Sequence, residues 1–496
     1  MSNSEISKFY VQKNIFCTGA TGFMGKVLIE KLLRDCGELS KIYILVRTKK
    51  GVSPQQRYEK YINDVVFDRI RLKNPDLFKK IKVIKGDVTL NNLGLDANDE
   101  EELKENVNLV FHCAANVRFD LTLKEAVNFN LNGTFSVLRL AEKMKNLQVF
   151  VHVSTTYCHC KENVLEERYY SATENPFGIM EMVKTLNDET LEYITPKLLN
   201  DLPNTYALTK GLTENLVHSF NGKFPIVIAR PSIVTAAWKD PLPGFVEGLN
   251  GPTGLLVAGA KGVLRSMHCN PNYPSESIPV DISINCIIAL AHKKSITDDK
   301  DVLYCNMTNN GTNPITWGES LELGKKAFYE YPMSIALWYP DGSIKSNYFV
   351  HLWCVIFFHY LPAYFIDGLL FITGNKPFLV NVQKRISQGL KILQYYTTRK
   401  WTFENENFKK LTSEMNDIDK EIFYCDMSKI NHEDYFRNYV FGIRQFIVKE
   451  KPEQLNNARS ILRKLYILDR TVTCVLYGML MLWIYNYFCQ FFYTKI

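Results

Sequence analysis

The amino-acid sequence predicts an α/β protein whose first half forms a doubly wound parallel sheet. Two observations support this prediction. The first is that a strand at Lys13–Cys17 leads through a glycine-rich loop into an amphipathic helix at Lys26–Arg34. Beyond that helix, short apolar runs alternate with helical patterns, as they do in βαβ units. A third observation concerns the other end of the chain, where a long uncharged run predicts a membrane helix.

The glycine-rich loop is the candidate binding site for a dinucleotide. Its glycines at positions 19, 22 and 25 let backbone N–H groups approach a pyrophosphate, and the following helix directs its N-terminus at the negative charge. An ordinary turn is the alternative, and the strand–loop–helix context argues against it. The loop residues predicted from this pattern to approach the ligand are Gly19, Gly22 and Gly25.

Five further apolar runs predict the remaining strands of the sheet. Each is short and continuous, as buried parallel strands are. A ligand is therefore expected at the carboxyl edge of the sheet. These runs are Lys41–Val46, Lys82–Lys85, Asn108–Cys113, Phe150–Ser154 and Phe224–Ala229. After them, residues 239–273 resemble glycine- and proline-rich loops, Pro279–Ala291 predicts a helix, and residues 300–320 return to strand and loop.

Composition limits the class of protein. The 496 residues are 46% hydrophobic and 22% charged, which indicates a globular chain of two or three domains. The net charge of +7 suits an anionic ligand or membrane surface, and its diffuse distribution argues against nucleic acid. The 12 cysteines are expected to be reduced. Cys158 and Cys160 flank His159, but no second ligand cluster completes a tetrahedral site, so no metal is predicted.

The run Thr471–Tyr493 contains no charged residue and is long enough to cross a bilayer. Four basic residues precede it and only Lys495 follows, so the rest of the chain is expected on the cytosolic side. A buried core helix is the alternative. We expect the endoplasmic reticulum membrane, while peroxisomal or lipid-droplet targeting remains open.

A second apolar stretch, Val350–Thr373, is interrupted by Pro362 and Asp367. A central aspartate is costly in lipid. The sequence therefore favours a kinked helical pair that packs on the domain or enters the membrane surface over a second span.

The choice of dinucleotide depends on the residues after the second strand. An acidic residue there usually selects NAD, but this chain has Arg47 followed by Thr48, Lys49 and Lys50. A guanidinium suits a 2′-phosphate, so these residues predict that the cofactor is NADPH. The alternative is that they form only a solvated run of charges without a ligand. Asp87 and Val88, just past the third strand, are placed to meet the adenine.

A Tyr-x-x-x-Lys pair places a phenol and an ammonium on one helix face, where the ammonium favours loss of the phenol proton. The motif occurs four times, beginning at Tyr157, Tyr193, Tyr206 and Tyr396. Tyr157 leaves a strand directly, Pro196 disfavours a regular helix through the second match, and Tyr396 lies outside the nucleotide domain. Tyr206–Lys210 alone begins a helical run between the fifth and sixth strands.

A hydroxyl at the end of the fifth strand is expected to orient the substrate oxygen. Ser154 and Thr155 are the candidates, and we favour Thr155. A turn cap is the alternative role.

These motifs together resemble a known family. The glycine loop, Ser154-Thr155, Tyr206–Lys210 and Arg230-Pro231-Ser232 are similar to an extended short-chain dehydrogenase/reductase. Four further segments resemble eukaryotic, especially insect, fatty acyl-CoA reductases. They are 112–119 (HCAANVRF), 360–364 (YLPAY) with Asp367, 401–405 (WTFEN) and 435–444 (YFRNYVFGIR).

The resemblance implies a Rossmann-like sheet with a substrate-binding extension, a mainly helical C-terminal domain and a C-terminal transmembrane helix. It places an NADPH-binding domain at 1–285, an extension at 286–349, the helical domain at 350–470 and the anchor at 471–493. It implies reduction of a long-chain acyl-CoA to a primary alcohol, with Thr155, Tyr206 and Lys210 as catalytic residues. The resemblance also implies a set of cofactor-binding residues. They are Thr18, Gly19, Thr21, Gly22, Phe23, Met24, Gly25, Arg47, Ala114, Tyr206, Lys210, Pro231 and Ile233. Asn116 stands where the family often has a small residue.

Two other functions remain open. A sterol-type membrane dehydrogenase of the same fold fits the motifs. A sugar-nucleotide epimerase does not, because the acidic residue that selects NAD is absent after the second strand and because the C-terminal region is apolar. A non-catalytic NADPH-binding scaffold would not need the Tyr206–Lys210 pair. No motif in the sequence indicates the preferred acyl chain length or the oligomeric state.

Overall fold

The computed structural model describes residues 4–493. The chain forms two compact units, and each is assembled from separate stretches of sequence. The first unit comprises the residues up to Val246, Tyr273–Thr316 and Arg399–Asn431. The second comprises Glu247–Asn272, Trp317–Thr398 and the residues from His432 onward. The sequence analysis instead divides the chain into consecutive domains, so the stretch 399–431 is grouped differently.

The first unit is built on a seven-stranded parallel sheet. Its strands are β1 (Asn14–Thr18), β2 (Lys41–Val46), β3 (Ile81–Lys85), β4 (Leu109–His112), β5 (Val149–Val153), β6 (Ile226–Pro231) and β7 (Leu303–Met307). They lie in the order β7-β6-β5-β4-β1-β2-β3, and every pairing is parallel. The direction of winding reverses between β1 and β4, which is where open α/β sheets bind ligands. The predicted doubly wound sheet is confirmed.

The strand positions follow from burial. β4, β5 and β6 are buried along their whole length, and β1 is buried after its first residue, because helices cover both faces of the sheet. A strand buried on both faces appears in sequence as a continuous apolar run, so the first six predicted strands lie within two residues of the observed ones.

Helices pack on both faces of this sheet. The glycine-loop helix (Phe23–Asp35) follows β1, and the Tyr206 helix (Thr205–His218) lies between β5 and β6. The other helical segments of this unit are Glu5–Phe9, Pro54–Ile62, Val65–Phe67, Asp68–Lys73, Pro75–Lys80, Asn91–Gly94, Ala97–Asn106, Leu123–Ala126, Val127–Asn132, Gly133–Ala141, Pro176–Thr185, Asp188–Leu199, Val280–Ile296, Glu406–Glu414, Asp417–Ile422 and Met427–Lys429.

One helix corrects the sequence analysis. Pro196 is expected to interrupt a helix at Tyr193–Lys197, but the helix Asp188–Leu199 runs through it. The proline removes one backbone hydrogen bond, to the carbonyl of Glu192, and both residues are exposed, so water satisfies that carbonyl. Tyr193 is 87% exposed. This Tyr-x-x-x-Lys match is therefore unsuited to catalysis because it lies on the surface, and not because its helix is interrupted.

The stretch 399–431 packs onto the first unit. Its strand Thr402–Phe403 pairs with Val164–Leu165, and the rings of Trp401 and Phe403 contact Tyr157 edge-on at 5.5 and 5.4 Å. Tyr157 is thereby buried in a turn, as its place directly after a strand predicts.

Glu167 ties this stretch to β7. Its carboxylate accepts N–H bonds from Asn306 at 2.8 Å and Asn407 at 2.6 Å. Burial raises the pKa of Glu167 to about 7, although these two backbone bonds oppose the rise.

The second unit is mainly helical. Its short strands Ser266–His268 and Ser343–Lys345 pair in parallel. Its helical segments are Pro252–Ala260, Trp317–Glu330, Tyr348–Cys354, Val355–Tyr360, Leu361–Ile372, Leu379–Thr397, His432–Gly442, Ile443–Ile447, Pro452–Gln454 and Leu455–Tyr493. The short strand pair Ile233–Thr235 and Ser277–Pro279 belongs to the first unit.

Two helices of the second unit are long and apolar enough to cross a membrane: Tyr348–Ile372 and Pro452–Tyr487. The former, here called the apolar helix, consists of two α-helical segments, Tyr348–Cys354 and Leu361–Ile372, joined by a π-helical turn, and the kink that the sequence predicts stays a prediction. A π-helical turn at Val355–Tyr360 lies directly before Pro362, so the hydrogen-bonding pattern changes where the proline lacks an N–H. The predicted anchor lies in the C-terminal helix Leu455–Tyr493.

We expect Phe403→Ala to destabilise the protein by about 3–5 kcal/mol, because the ring is buried against Tyr157 and its removal leaves a cavity. Thermal unfolding of the detergent-purified chain measures the effect. Phe403→Leu should cost less, and Tyr193→Ala, on the exposed surface, should change stability by less than about 0.5 kcal/mol. An equal change in stability for Phe403→Ala and Tyr193→Ala would contradict the packing of Phe403 against Tyr157.

Candidate active site

The glycine loop is folded so tightly that its glycines have no room for a side chain. Gly19 has a φ of +76°, and a Cβ there would lie 2.7 Å from the backbone nitrogen of Ala114. A Cβ on Gly25 would overlap the backbone of Gly19 and lie 2.6 Å from Ala20 Cα. The helix N-cap, Gly22, makes no side-chain capping bond. The first amides of this helix therefore face outward beside half-buried Phe23 and Met24, as anion binding requires.

Thr18 has a supporting position. Its buried hydroxyl lies 2.7 Å from His112 Nδ1 and accepts the N–H of Ala114 at 3.3 Å. On the other side of the ring, His112 Nε2 lies 2.9 Å from the hydroxyl of Thr134, which donates to the carbonyl of Asn130. Since that hydroxyl proton is used, Nε2 carries the imidazole proton and Nδ1 accepts from Thr18. This chain of bonds fixes the turn at Ala114 against the glycine loop.

Arg57 is a candidate site residue that the sequence analysis missed. Its guanidinium donates to the Thr21 hydroxyl at 3.2 Å and to the Arg47 carbonyl at 2.6 Å. It lies on the helix Pro54–Ile62, which begins with a Ser53–Gln56 capping box. Burial and the nearby Arg47 charge lower the pKa of Arg57. Two like charges beside a glycine loop indicate an anionic ligand.

Arg47 reaches across the edge of the sheet to the end of β3. Its guanidinium lies 3.4 Å from the carboxylate of Asp87 and over the ring of Phe129 at 5.3 Å. Val88 is half-buried against Gly133. The predicted adenosine-binding residues thus lie together at the carboxyl ends of β2 and β3.

The remaining cofactor candidates follow neighbouring strands. Ala114 comes after β4, Pro231 ends β6, and Ile233 begins the short strand Ile233–Thr235. Because parallel strands share one carboxyl edge, these residues lie on the same side of the sheet as the glycine loop.

Tyr206 and Thr155 meet at this edge. The Thr155 side chain neighbours the Tyr206 phenol, and its hydroxyl accepts the N–H of Tyr157 at 3.2 Å. Phe119 packs edge-on against the Tyr206 ring at 5.4 Å. Burial raises the pKa of Tyr206, and the neighbouring Thr155 hydroxyl opposes that rise. The sequence argument expects the neighbouring ammonium to lower this pKa, but desolvation outweighs other effects because the ring is enclosed.

Lys210 lies one turn along the same helix. It donates to the Val153 carbonyl at 2.8 Å and lies 3.5 Å from His152 Nε2. Burial lowers the pKa of Lys210 to about 8, and the charge of Glu214 limits the fall. Burial and the Lys210 charge also lower the pKa of His152 well below its ordinary value, so the lysine faces a neutral imidazole.

Glu214, a further turn along the helix, forms a buried ion pair with Arg230. Arg230 Nη2 and Nε lie 2.7 and 3.0 Å from the two carboxylate oxygens of Glu214. The guanidinium also donates to the carbonyls of Glu166 and Arg168, each at 3.0 Å. Despite the opposing effect of burial, the Arg230 charge keeps the pKa of Glu214 well below its ordinary value.

Among the described residues, Cys158, His159 and Glu214 bring three potential metal-ligand atoms within 4.8 Å of one another. The sequence showed the cysteine and histidine but not the glutamate. His159 Nε2 lies 3.0 Å from one Glu214 oxygen and Cys158 Sγ lies 3.2 Å from the other. Since Arg230 binds both oxygens, this group is an ion-pair network rather than a cation site.

Asn130 is a second residue that sequence reasoning missed. It lies in the π-helical turn Val127–Asn132 and is buried. Its side chain accepts the N–H of Asn116 at 2.9 Å and donates to Thr209 on the Tyr206 helix at 3.1 Å. It thus holds the loop after β4 against the helix that carries Tyr206.

Comparison with known proteins identifies the family. Two family models, both described as male sterility protein, match residues 17–287 and 358–450, and the first is an NAD-binding model. Fatty acyl-CoA reductase 1 of Xenopus laevis is 38% identical over 460 residues, covering 93% of this chain and 89% of that protein. The chain belongs to the fatty acyl-CoA reductase family. The Homo sapiens protein of the same name is 36% identical with the same coverage. Fatty acyl-CoA reductase wat of Drosophila melanogaster is 35% identical, covering 96% of this chain and 92% of its own length.

Membership in the fatty acyl-CoA reductase family makes the chain an enzyme, an oxidoreductase with a nicotinamide cofactor, and confirms the resemblance found in the sequence. Solved structures agree on the fold. The terminal R domain from the myxalamid biosynthetic pathway matches with a TM-score of 0.59 and 17% identity, covering 87% of this chain and 90% of its own. A reductase domain of a nonribosomal peptide synthetase from Mycobacterium tuberculosis matches with a TM-score of 0.59 and 16% identity, covering 89% and 96%.

We expect Gly25→Ala to weaken nicotinamide-cofactor binding about tenfold or more, because the added Cβ must displace the backbone of Gly19. Titration of purified protein with the reduced cofactor, followed by its fluorescence, measures the dissociation constant. Gly178→Ala is the matched control, since the nearest atom to its Cβ is 3.8 Å away. Unchanged cofactor binding in Gly25→Ala would contradict the assignment of the loop.

Proposed function

We propose that the protein reduces long-chain fatty acyl-CoA to a primary alcohol, using NADPH, with release of CoA and through a bound aldehyde. The observation that carries this proposal is that Thr155 neighbours the Tyr206 phenol, one helical turn from Lys210, at the sheet edge that also holds the glycine loop. The names of the curated relatives support the acyl-CoA substrate.

Two hydroxyls would receive the substrate carbonyl. The Tyr206 phenol and the Thr155 hydroxyl donate to the thioester oxygen, where negative charge develops. A bound reduced nicotinamide would supply hydride to the acyl carbon. Tyr206 gives its proton to the oxygen, which forms a hemithioacetal. The hemithioacetal hydroxyl then returns this proton to the Tyr206 phenolate as the carbon–sulfur bond breaks, so that CoA leaves as a thiolate and an aldehyde remains. A second hydride and a second proton convert the aldehyde to the alcohol.

Lys210 would act through its charge and its three N–H donors. One donor is used by the Val153 carbonyl and a second faces His152 Nε2, so the third would serve the nicotinamide ribose. Its ammonium stabilises the phenolate that Tyr206 becomes after proton transfer. Glu214 keeps this ammonium charged, and the Arg230 ion pair holds Glu214 in position.

NADPH is proposed over NADH because two guanidinium groups converge beside the glycine loop. Arg57 contacts Thr21 and the Arg47 carbonyl, and Arg47 projects from the end of β2, where selective dinucleotide sites bind the adenosine ribose. A 2′-phosphate would pair with both groups, whereas a ribose hydroxyl offers neither of them a negative charge.

A membrane location is proposed to suit substrate and product, which both partition into lipid. The C-terminal helix presents exposed apolar side chains such as Leu480, Leu482 and Trp483. Arg463, Lys464 and Arg470 precede them, and this excess of basic residues supports a cytosolic position for the reductase.

Arg57→Ala should reduce the preference for NADPH over NADH roughly tenfold to a hundredfold, because it removes one charge-assisted contact to the 2′-phosphate. The ratio of kcat/KM values for the two cofactors measures this preference. Arg139→Ala, an exposed arginine paired with Glu142, is the control and should leave the ratio unchanged. An unchanged ratio in Arg57→Ala would exclude this role.

Tyr206→Phe should lower kcat for acyl-CoA reduction by roughly 10²–10⁴-fold while cofactor binding persists, because only the proton donor is lost. Membranes from cells expressing the full chain are supplied with NADPH and saturated acyl-CoAs of different lengths, and gas chromatography separates alcohol from aldehyde. Tyr193→Phe is the matched control. Aldehyde as the end product would exclude the second reduction. No product from any acyl-CoA, with NADPH still bound, would exclude the proposal.

The pH profile should show an alkaline limb near the pKa of Lys210, about 8. The ammonium is present below this pH and is lost above it, so kcat/KM should fall as pH rises through that value. Glu214→Gln removes a charge that raises this pKa, so the limb should move to lower pH. A limb that stays in place in Glu214→Gln would contradict the coupling.

A further inference from the structure

The apolar helix, Tyr348–Ile372, has an unusually exposed apolar surface. Its most apolar window has a mean hydropathy of 1.7 and is only 17% buried. The side chains on its outer face are large: the most exposed are Phe349, Leu361, Phe365, Phe371 and Ile372, each more than half exposed. Trp353 packs against Phe357 on the same outer surface, with the two rings tilted by 31° and their centroids 4.7 Å apart. Contiguous apolar surface of this kind marks an interaction site.

The inner face of the same helix is polar. His359 is buried, and its Nε2 accepts the backbone N–H groups of Arg265 and Ser266 at 3.0 and 3.1 Å. His351 Nδ1 lies 2.9 Å from the Ser266 hydroxyl. Eight residues beyond His359, the buried carboxylate of Asp367 accepts the N–H groups that begin the next helix, Phe378, Leu379 and Val380, each at 2.9 Å.

The polarity of this helix is therefore reversed. A helix on the surface of a water-soluble domain turns its apolar stripe inward and its polar residues toward water. Here His351, His359 and Asp367 face the second unit, while phenylalanine and leucine side chains face outward. Asp367, which argues in the sequence analysis against a second membrane span, is satisfied inside the protein. The surroundings that suit this arrangement are apolar.

Charge around the helix favours a lipid bilayer as those surroundings. Residues 342–398 contain five basic side chains and one acidic side chain, Asp367, which is used internally. The basic residues Lys376, Lys384, Arg385 and Lys391 are exposed and follow the apolar helix. Exposed basic residues beside an apolar face are typical of helices that lie in an anionic membrane surface.

Arg265 contacts both the middle of the apolar helix and the residues that directly precede the membrane anchor. Arg265 donates its N–H to His359, and its guanidinium lies 3.5 Å from Asp469. Asp469 also accepts from Trp338 Nε1 at 2.6 Å, and Arg470 is the last charged residue before the uncharged run. A spanning helix would have its middle at the bilayer centre, but this one has its middle beside the anchor's entry point.

We propose that the apolar helix lies within one leaflet of an anionic bilayer, with its outer face in lipid and its His359–Asp367 face on the protein, and that it does not cross the membrane. It forms a second membrane contact of the second unit beside the C-terminal anchor. This assignment is independent of the reaction that the enzyme catalyses.

Photo-crosslinking of the full-length chain tests the lipid contact. A benzophenone amino acid replaces Phe365 or Phe371, and Tyr193, an exposed aromatic residue of the first unit, is replaced as the matched control. The protein is reconstituted in phosphatidylcholine vesicles, with and without phosphatidylserine, that contain an alkyne-bearing phospholipid. We expect lipid adducts at positions 365 and 371, a higher yield with phosphatidylserine, and little adduct at position 193.

A glycosylation assay separates a single-leaflet position from a second span. A flexible loop carrying an Asn-Ser-Thr acceptor is inserted after Gly374, whose surroundings are open, and the full chain is translated with microsomes. The loop should stay unglycosylated. A glycan there would establish a span and overturn the proposal. Adducts to a second protein chain in place of lipid, or equal lipid adducts at positions 193 and 365, would also overturn it.

Discussion

The buried ion pair between Arg230 and Glu214 holds the catalytic edge of the sheet together. Arg230 belongs to β6, Glu214 to the Tyr206 helix, and the guanidinium also binds carbonyls of the loop after β5. Removing one partner would leave an uncompensated buried charge, at a cost of roughly 3–5 kcal/mol. The same carboxylate sets the charge environment of Lys210, so one interaction fixes both the position of the helix and the protonation of its lysine.

Much of the site could be predicted because it depends on local sequence. The glycine loop needs residues without side chains at fixed spacing, and the pair Tyr206–Lys210 needs only one helical turn. Arg57 could not be predicted in the same way, because its approach to Thr21 depends on the path of the chain after β2. The Arg230–Glu214 pair likewise depends on tertiary packing, since any buried arginine has many possible partners in a sequence.

In the fold, too, the features that depend on local sequence could be predicted and those that depend on tertiary contacts could not. Strands buried on both faces are visible as apolar runs, so the sheet was predicted closely. The return of residues 399–431 to the first unit was not, because it rests on dispersed contacts such as those of Phe403 with Tyr157 and of Glu167 with Asn407. Pro196 was interpreted too strictly, because the helix Asp188–Leu199 runs through it. The way in which Asp367 is satisfied, by the amides of the next helix N-terminus, could not be predicted because it depends on tertiary packing.

The central claim is that one site delivers hydride twice to the same carbon. The most direct test is to supply the full-length enzyme in membranes with a saturated long-chain acyl-CoA and NADPH carrying two deuterium atoms at C4 of the nicotinamide. Mass spectrometry of the product then counts the deuterium at C1. The account predicts a primary alcohol with two deuterium atoms at C1, and none formed by Tyr206→Phe. An aldehyde with one deuterium atom as the end product, or an alcohol still formed by Tyr206→Phe at the native rate, would contradict it.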